Sequence, residues 1–193
     1  MSIAITDRQL EGRRITSSIA MMVLLVSFSM LFASLLLGYA AFRLTSPVWP
    51  PMGMQRIPLL LPILSTIVIA LSSFCFVSFE KSFRANKIIT MKIYLALTFA
   101  LGLGFMFVQY KLWGSMAAMG LYVSGGIFPS LLYSLTWIHA AHIVAALISL
   151  LFLVPVSLQG HSLDRVTWVE NVGKFWHFLG VVWLVMFIIM FIF

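Results

Sequence analysis

The chain has 193 residues, of which 62% are hydrophobic and only 9% charged, and its mean hydropathy is +1.09. A soluble domain carries about 25% charged residues, so this composition excludes a water-soluble fold and makes the bilayer the solvent in which each polar side chain is judged. The formal charge of +7 needs no nucleic acid, because the basic residues fall where anionic lipid headgroups would meet them.

A spanning helix needs about 20 mostly apolar residues, and five stretches qualify: approximately 17–42, 57–79, 90–112, 126–156 and 173–193. The first follows Asp7, Arg8, Glu11, Arg13 and Arg14. It is too long for a signal-peptide core and no small-residue cleavage pattern follows it, so it is expected to remain as a helix. Pro47, Pro50 and Pro51 then mark a loop with Trp49, an aromatic suited to the interface. Pro58 and Pro62 fall in the first turns of the second segment, where a missing amide is tolerated. That segment holds the single cysteine, Cys75, which excludes an internal disulfide and has no CxxC partner. Glu80 and Arg84 beyond it are spaced to pair at i and i+4. Gly102 and Gly104 in the third segment would permit a close helix approach. Pro129 and Pro155 bracket the fourth, and the fifth carries no charge after Lys174. With no repeat, low-complexity tract or linker, the expectation is a single transmembrane domain over 1–193, an all-α integral membrane five-helix bundle.

Counting Lys and Arg by segment predicts its orientation. The amino-terminal tail (Arg8, Arg13, Arg14), the second loop (Lys81, Arg84, Lys87, Lys92) and the fourth loop (Arg165, Lys174) share one side, against Arg43, Arg56 and Lys111 on the other. The N-terminus is therefore expected to be cytoplasmic and the C-terminus outside.

His139 and His142 lie within the apolar run Leu131 to Val156, and ionisable groups at membrane depth are by default site candidates. Three residues apart, they share a helix face. Two imidazoles on one face cannot sandwich a haem iron. On the segment boundaries above, His142 lies about 15 Å deeper than His177, and His161 falls in a loop, so one metal held by all three is not expected; a buried packing pair is. All five carboxylates, Asp7, Glu11, Glu80, Asp164 and Glu170, fall at the cytoplasmic side, which leaves no acid for a proton relay at the membrane centre. Phosphate-binding glycine loops and GxSxG elbows are absent.

Several motifs together resemble the haem-copper (cytochrome c) oxidase subunit III family in its short, five-helix bacterial form, over about residues 17–193. Gly126, Ile127 and Phe128 through Thr136, Ile138, His139, His142 and Ile143 look like its HxxH helix. Glu170, then Phe175, Trp176, His177, Phe178, Val181, Val182, Trp183 and Leu184, resemble its terminal motif. Trp49, Pro50, Pro51 and Gly53 match a WPPxG loop, and Leu101, Gly102, Phe105 and Gln109 an LGxxF...Q stretch. Three family acids are missing: their positions fall at Phe28, Leu112 and Gly180.

The resemblance implies a non-redox subunit of a respiratory oxidase in the bacterial cytoplasmic (inner) membrane, stabilising subunit I and binding phospholipid. Haem and copper would reside in partner subunits I and II, with none in this chain, and a larger respiratory supercomplex is an open extension. No catalytic or metal residue is assigned. His139, His142, Glu170, Trp176, His177, Trp183 and Gln109 are family markers or packing residues, and Arg84, Glu170, Lys174, Trp176 and His177 are candidate lipid contacts. Nitric oxide reductases have similar accessory proteins, so that role and a membrane assembly factor are the alternatives.

Overall fold

The computed structural model describes residues 2–47, 57–155 and 163–192, with the backbone alone for 2–10, 163 and 164. Trp49, Pro50, Pro51, Gly53, Arg56 and His161 lie outside the described residues. The regular structure is helical: α1 (Ser2–Thr45), α2 (Leu60–Arg84), α3 (Ile88–Ala118), a short 3-10 turn (Val123–Gly125), α4 (Ile127–Leu151) and α5 (Leu163–Phe187), extended by a π-helical turn (Ile188–Ile192). Among the described residues, these five α-helices are long and apolar enough to cross a membrane. The chain is a multi-pass, all-α membrane protein.

Adjacent helices are set antiparallel by caps that the sequence supplies. At the α2–α3 turn, Asn86 takes a left-handed φ of 51°, with Lys87 N–H bonded to Ser82 O at 3.0 Å and Asn86 N–H to Phe83 O at 3.1 Å. This is the Schellman closure, and asparagine tolerates its left-handed position. The same two-bond pattern ends α3: Gly120, at φ 77°, lets Leu121 N–H reach Met116 O and Gly120 N–H reach Ala117 O, both at 3.0 Å.

α5 is the central element, packing against α1, α2 and α4, while α2 and α3 form a hairpin beside it. α1 is peripheral, with 6% of its most apolar window buried against 44% for α4 and α5. Its inward residues Met21, Leu25, Phe28, Phe32, Leu35, Tyr39 and Phe42 recur at alternating four- and three-residue steps, the seam of a coiled-coil contact. α1 runs parallel to α5. Arg14 Nε donates to Thr167 Oγ1 at 3.1 Å, Asn171 Nδ2 to Ser17 Oγ at 2.9 Å, and Tyr39 Oη to Met190 O at 3.4 Å.

The observed helices differ from the sequence expectation mainly at their ends. α1, expected from residue 17, begins at Ser2, and its 44 residues extend about 66 Å, twice a bilayer core of about 30 Å. α2 continues to Arg84 and α3 to Ala118, past the residues 79 and 112 at which their apolar runs thin. α5 starts ten residues before the expected 173 because Val169 and Val172 are buried against the bundle. Charges leave the hydrocarbon without ending a helix; caps end it. α4 stops earlier than expected, at Leu151 rather than 156. Pro155 lacks the amide that would have bonded the Leu151 carbonyl in a continuing helix.

Two glycines permit the closest approaches. A Cβ on Gly102 would lie 2.7 Å from Trp176 Cη2 and 2.8 Å from Leu147 Cδ2, so α3, α4 and α5 meet there only because the position is bare. Gly173 lies against the Glu80 carboxylate and the Phe76 ring, which lets α5 sit on α2.

Candidate functional site

His139 is completely buried, and its surround is aromatic. Its ring centroid is 5.5 Å from Trp183, 5.8 Å from Phe105 and 6.0 Å from Phe32, with interplanar angles of 68° to Phe32 and 76° to Phe105. Neither ring nitrogen has a hydrogen-bond partner in the described structure. The steep angles to Phe32 and Phe105 are the edge-to-face arrangement that aromatic rings favour. A ring so enclosed packs α1, α3 and α5 onto α4 and has no open approach for a ligand.

His142 is half-buried on the α1 side of the same helix face. Its Nδ1–H donates to the Ile138 carbonyl at 2.7 Å. Phe28 meets it edge-on at 4.3 Å and Phe32 at 5.4 Å. Phe32 thus touches both histidines, as a shared face requires.

Trp183 is buried and donates from Nε1 to Thr66 Oγ1 at 3.1 Å, tying α5 to α2. Gln109 is 1% exposed with both amide atoms unpartnered. It stands on α3 one turn from Phe105, which contacts His139, and one turn from Trp113, whose Nε1 donates to Thr136 Oγ1 on α4 at 3.1 Å. Tyr133 Oη adds a bond to Trp113 O at 3.3 Å. The Trp113–Thr136–Tyr133 lock and the Thr66 acceptor were missed by sequence reasoning. The available signal was the presence of hydrogen-bonding side chains on otherwise apolar helices.

Trp176 is fully buried against Gly102 and Leu147, which removes it from the candidate lipid-facing residues. The other candidates gather at the end of the bundle holding the α2–α3 turn, hereafter the hairpin end. Arg84 Nη2 bonds Glu170 Oε1 at 3.1 Å. The expected Glu80–Arg84 contact is replaced by this pair between α2 and α5, while Arg84, Glu170 and Lys174 remain charged neighbours of Glu80. Lys174 is exposed, and His177 is half-buried with its ring 5.7 Å from Phe76.

The expected 15 Å depth difference between His142 and His177 does not hold. Antiparallel α4 and α5 bring His139 level with Trp183, and both Leu147 and Trp176 to Gly102, so His142 and His177 differ by only a few residues, about 5 Å. They are separated instead by face: His142 looks at α1 and His177 at α2. Among the described residues, no three His, Cys, Asp or Glu side chains form a group that could hold a metal ion.

The family model described as cytochrome c oxidase subunit III matches residues 12–193. The chain belongs to the cytochrome c oxidase subunit III family. The subunit 3 protein of Synechocystis sp. is 31% identical over 170 residues, covering 87% of this chain and 72% of that protein. That of Thermostichus vulcanus is 24% identical over 176 residues, 90% and 86% of the two chains. The Yarrowia lipolytica subunit is 32% identical over 148 residues, spanning 74% of this chain and 53% of its own length.

The structure shows what stands at the three positions where the subunit III pattern carries acids. Phe28 fills the α1–α4 seam against His142. Leu112 is 1% exposed in the core. Gly180 faces α2, where a Cβ would already meet Ser73 Oγ at 3.3 Å.

Proposed function

We propose that this chain is the non-redox third subunit of a respiratory cytochrome c oxidase, a single 1–193 domain that docks beside subunit I, steadies the complex and binds phospholipid. Oxygen reduction and the proton translocation coupled to it belong to subunits I and II, whose haem and copper carry the chemistry. The observation that carries this reading is the family match across residues 12–193. It is supported by an interior whose histidines are engaged in packing: His139 lies among three aromatic rings and His142 between Phe28 and its own helix backbone.

The assigned membrane is the bacterial cytoplasmic membrane, with the hairpin end inside. Arg13, Arg14, Lys81, Arg84, Lys87, Lys92, Arg165 and Lys174 all lie at that end, against Arg43 and Lys111 toward the other, which is the asymmetry that sets topology. Arg84, Lys174 and His177, with Glu170 holding Arg84 in place, supply the cationic and polar surface for a phospholipid headgroup.

Affinity purification of the chain from its native membranes in mild detergent tests the assignment. Oxidase subunits I and II should co-purify with their haem spectrum. Recovery with nitric oxide reductase subunits would transfer the role to that enzyme, and recovery without any redox partner would favour an assembly factor.

A further inference from the structure

Between Glu11 and Glu80, and again between Glu80 and Asp164, the sequence has no acidic residue. The Asp and Glu residues therefore belong to segments at the hairpin end, away from the cations of the opposite half. Lys111 is such a cation. It sits in the spanning helix α3, whose 31 residues extend about 46 Å. The apolar run of α3 covers about residues 90–112, so Lys111 stands near the outer end of that run, at the edge of a hydrocarbon core of about 30 Å.

Lysines at this depth ordinarily reach for the nearer surface, but α3 opposes that. Side chains on a helix lean toward its N-terminus, and the N-terminus of α3 is at the hairpin end. The Lys111 ammonium accordingly lies over the ring of Phe107, 5.4 Å from its centroid, one turn back toward the mid-plane and away from the closer headgroups. Lys111 is exposed, as are its stripe neighbours Phe107 at 61% and Tyr110 at 67%. Leu103 extends the stripe, and at Gly114 a Cβ would meet nothing within 4 Å, leaving room for another backbone. Large aromatics beside a cation and a bare glycine have the character of a helix-docking face.

We propose that the α3 face of Leu103, Phe107, Tyr110, Lys111 and Gly114 receives a membrane-spanning helix of a partner subunit that presents an Asp or Glu carboxylate to Lys111. The proposal rests on the oxidase reading only for the complex in which that helix is sought. A protein carboxylate fits better than a lipid phosphate because the ammonium is directed below headgroup level, onto aromatic surface that a helix can cover.

The test uses the intact complex in native membranes. A hydrophobic carbodiimide activates the carboxylate as an O-acylisourea; the Lys111 amine then displaces the urea, leaving an amide that mass spectrometry locates. The expected result is a Lys111 adduct with a peptide of a partner's membrane helix, absent in Lys111→Met. That variant should be lost from the complex about tenfold more readily on detergent washing, and Lys111→Arg should be retained. Lys111 is exposed, so Lys111→Met should keep the wild-type melting temperature in micelles. If it does not, a benzophenone amino acid at Tyr110, with Lys111 in place, carries the test by photocrosslinking to the same helix. No peptide adduct together with wild-type retention of Lys111→Met overturns the proposal. So does retention abolished by phospholipase and restored by anionic lipid without any adduct, the signature of a phosphate partner. An adduct to a membrane helix outside the oxidase would uphold the docking face while refuting the oxidase reading.

Discussion

Gly102 and Gly104 stand two residues apart on α3, and the same substitution should move stability in opposite directions at the two sites. In Gly102→Ala the new methyl would lie 2.7 Å from Trp176 Cη2 and 2.8 Å from Leu147 Cδ2, about 1 Å inside the optimum carbon separation of about 3.5–4.0 Å. Trp176 is fully buried and Leu147 nearly so, so neither can swing clear without disturbing its own neighbours. Overpacking of this kind costs about 1–3 kcal/mol. The alanine recovers about 1 kcal/mol of helix propensity, which leaves a net loss of up to about 2 kcal/mol. In Gly104→Ala the nearest atom is Val68 Cγ1 at 3.9 Å, an ordinary contact, so the propensity gain stands alone at about 0.5–1 kcal/mol. Thermal unfolding in mild detergent, followed by tryptophan fluorescence, should rank the proteins Gly104→Ala, wild type, Gly102→Ala, with the emission of Trp176 altered only in the last. Equal stability of the two variants, or a more stable Gly102→Ala, would refute the reading of α3, α4 and α5 as meeting at a bare position.

The contacts between helices give three further expectations. Thr66→Val removes the acceptor of the Trp183 indole N–H and should lower stability by about 0.6–1.7 kcal/mol, the range for hydrogen bonds between membrane helices; Thr66→Ser should restore most of it, as a denaturation curve in detergent would show. His139→Ala empties a site enclosed by three aromatic rings and should cost about 2–4 kcal/mol, whereas half-buried His142 should cost about 1 kcal/mol. Both should loosen association with the complex without changing its haem absorption, and a haem shift in either would contradict a packing role. Arg84→Met breaks an ion pair whose side chains are 65% and 32% exposed, so its effect on the melting curve should stay under about 1 kcal/mol.

The five spans were legible because a bilayer demands length and apolarity, and both are properties of a linear string. The shared face of His139 and His142 was equally legible from helix periodicity, and Phe32 touches both rings. Helix ends were harder to read. The sequence expectation stopped α2 and α3 where apolar character thins, but the chain turns where a residue accepts a left-handed φ, at Asn86 and Gly120. That error propagated to the depth of His177, because α5 begins well before its apolar run becomes continuous. Partner choice was illegible for a different reason. Glu80 is one turn from Arg84 along α2, yet Arg84 pairs with Glu170, 86 residues away, a contact that exists only once α5 lies against α2. Thr66 and Thr136 likewise looked like unremarkable hydroxyls until Trp183 and Trp113 were brought to them.

The three positions at which family acids are missing show that packing differs at each. Phe28 completes an aromatic contact with His142 in the seam between α1 and α4; Leu112 fills the core with no exposed edge; Gly180 brings α5 to within a methyl's width of Ser73 on α2. Restoring a carboxylate at any one of them meets a separate obstacle: loss of a ring contact at Phe28, burial of an unpaired charge at Leu112, or steric overlap at Gly180. These sites lie on three different parts of the bundle, so one restored acid would not place another within reach. The cost of each change is therefore local, and no single substitution rebuilds a chain of ionisable groups through this interior. Charged side chains stand instead at the surfaces, where Lys111 faces outward from α3 and the Arg84–Glu170 pair marks the hairpin end.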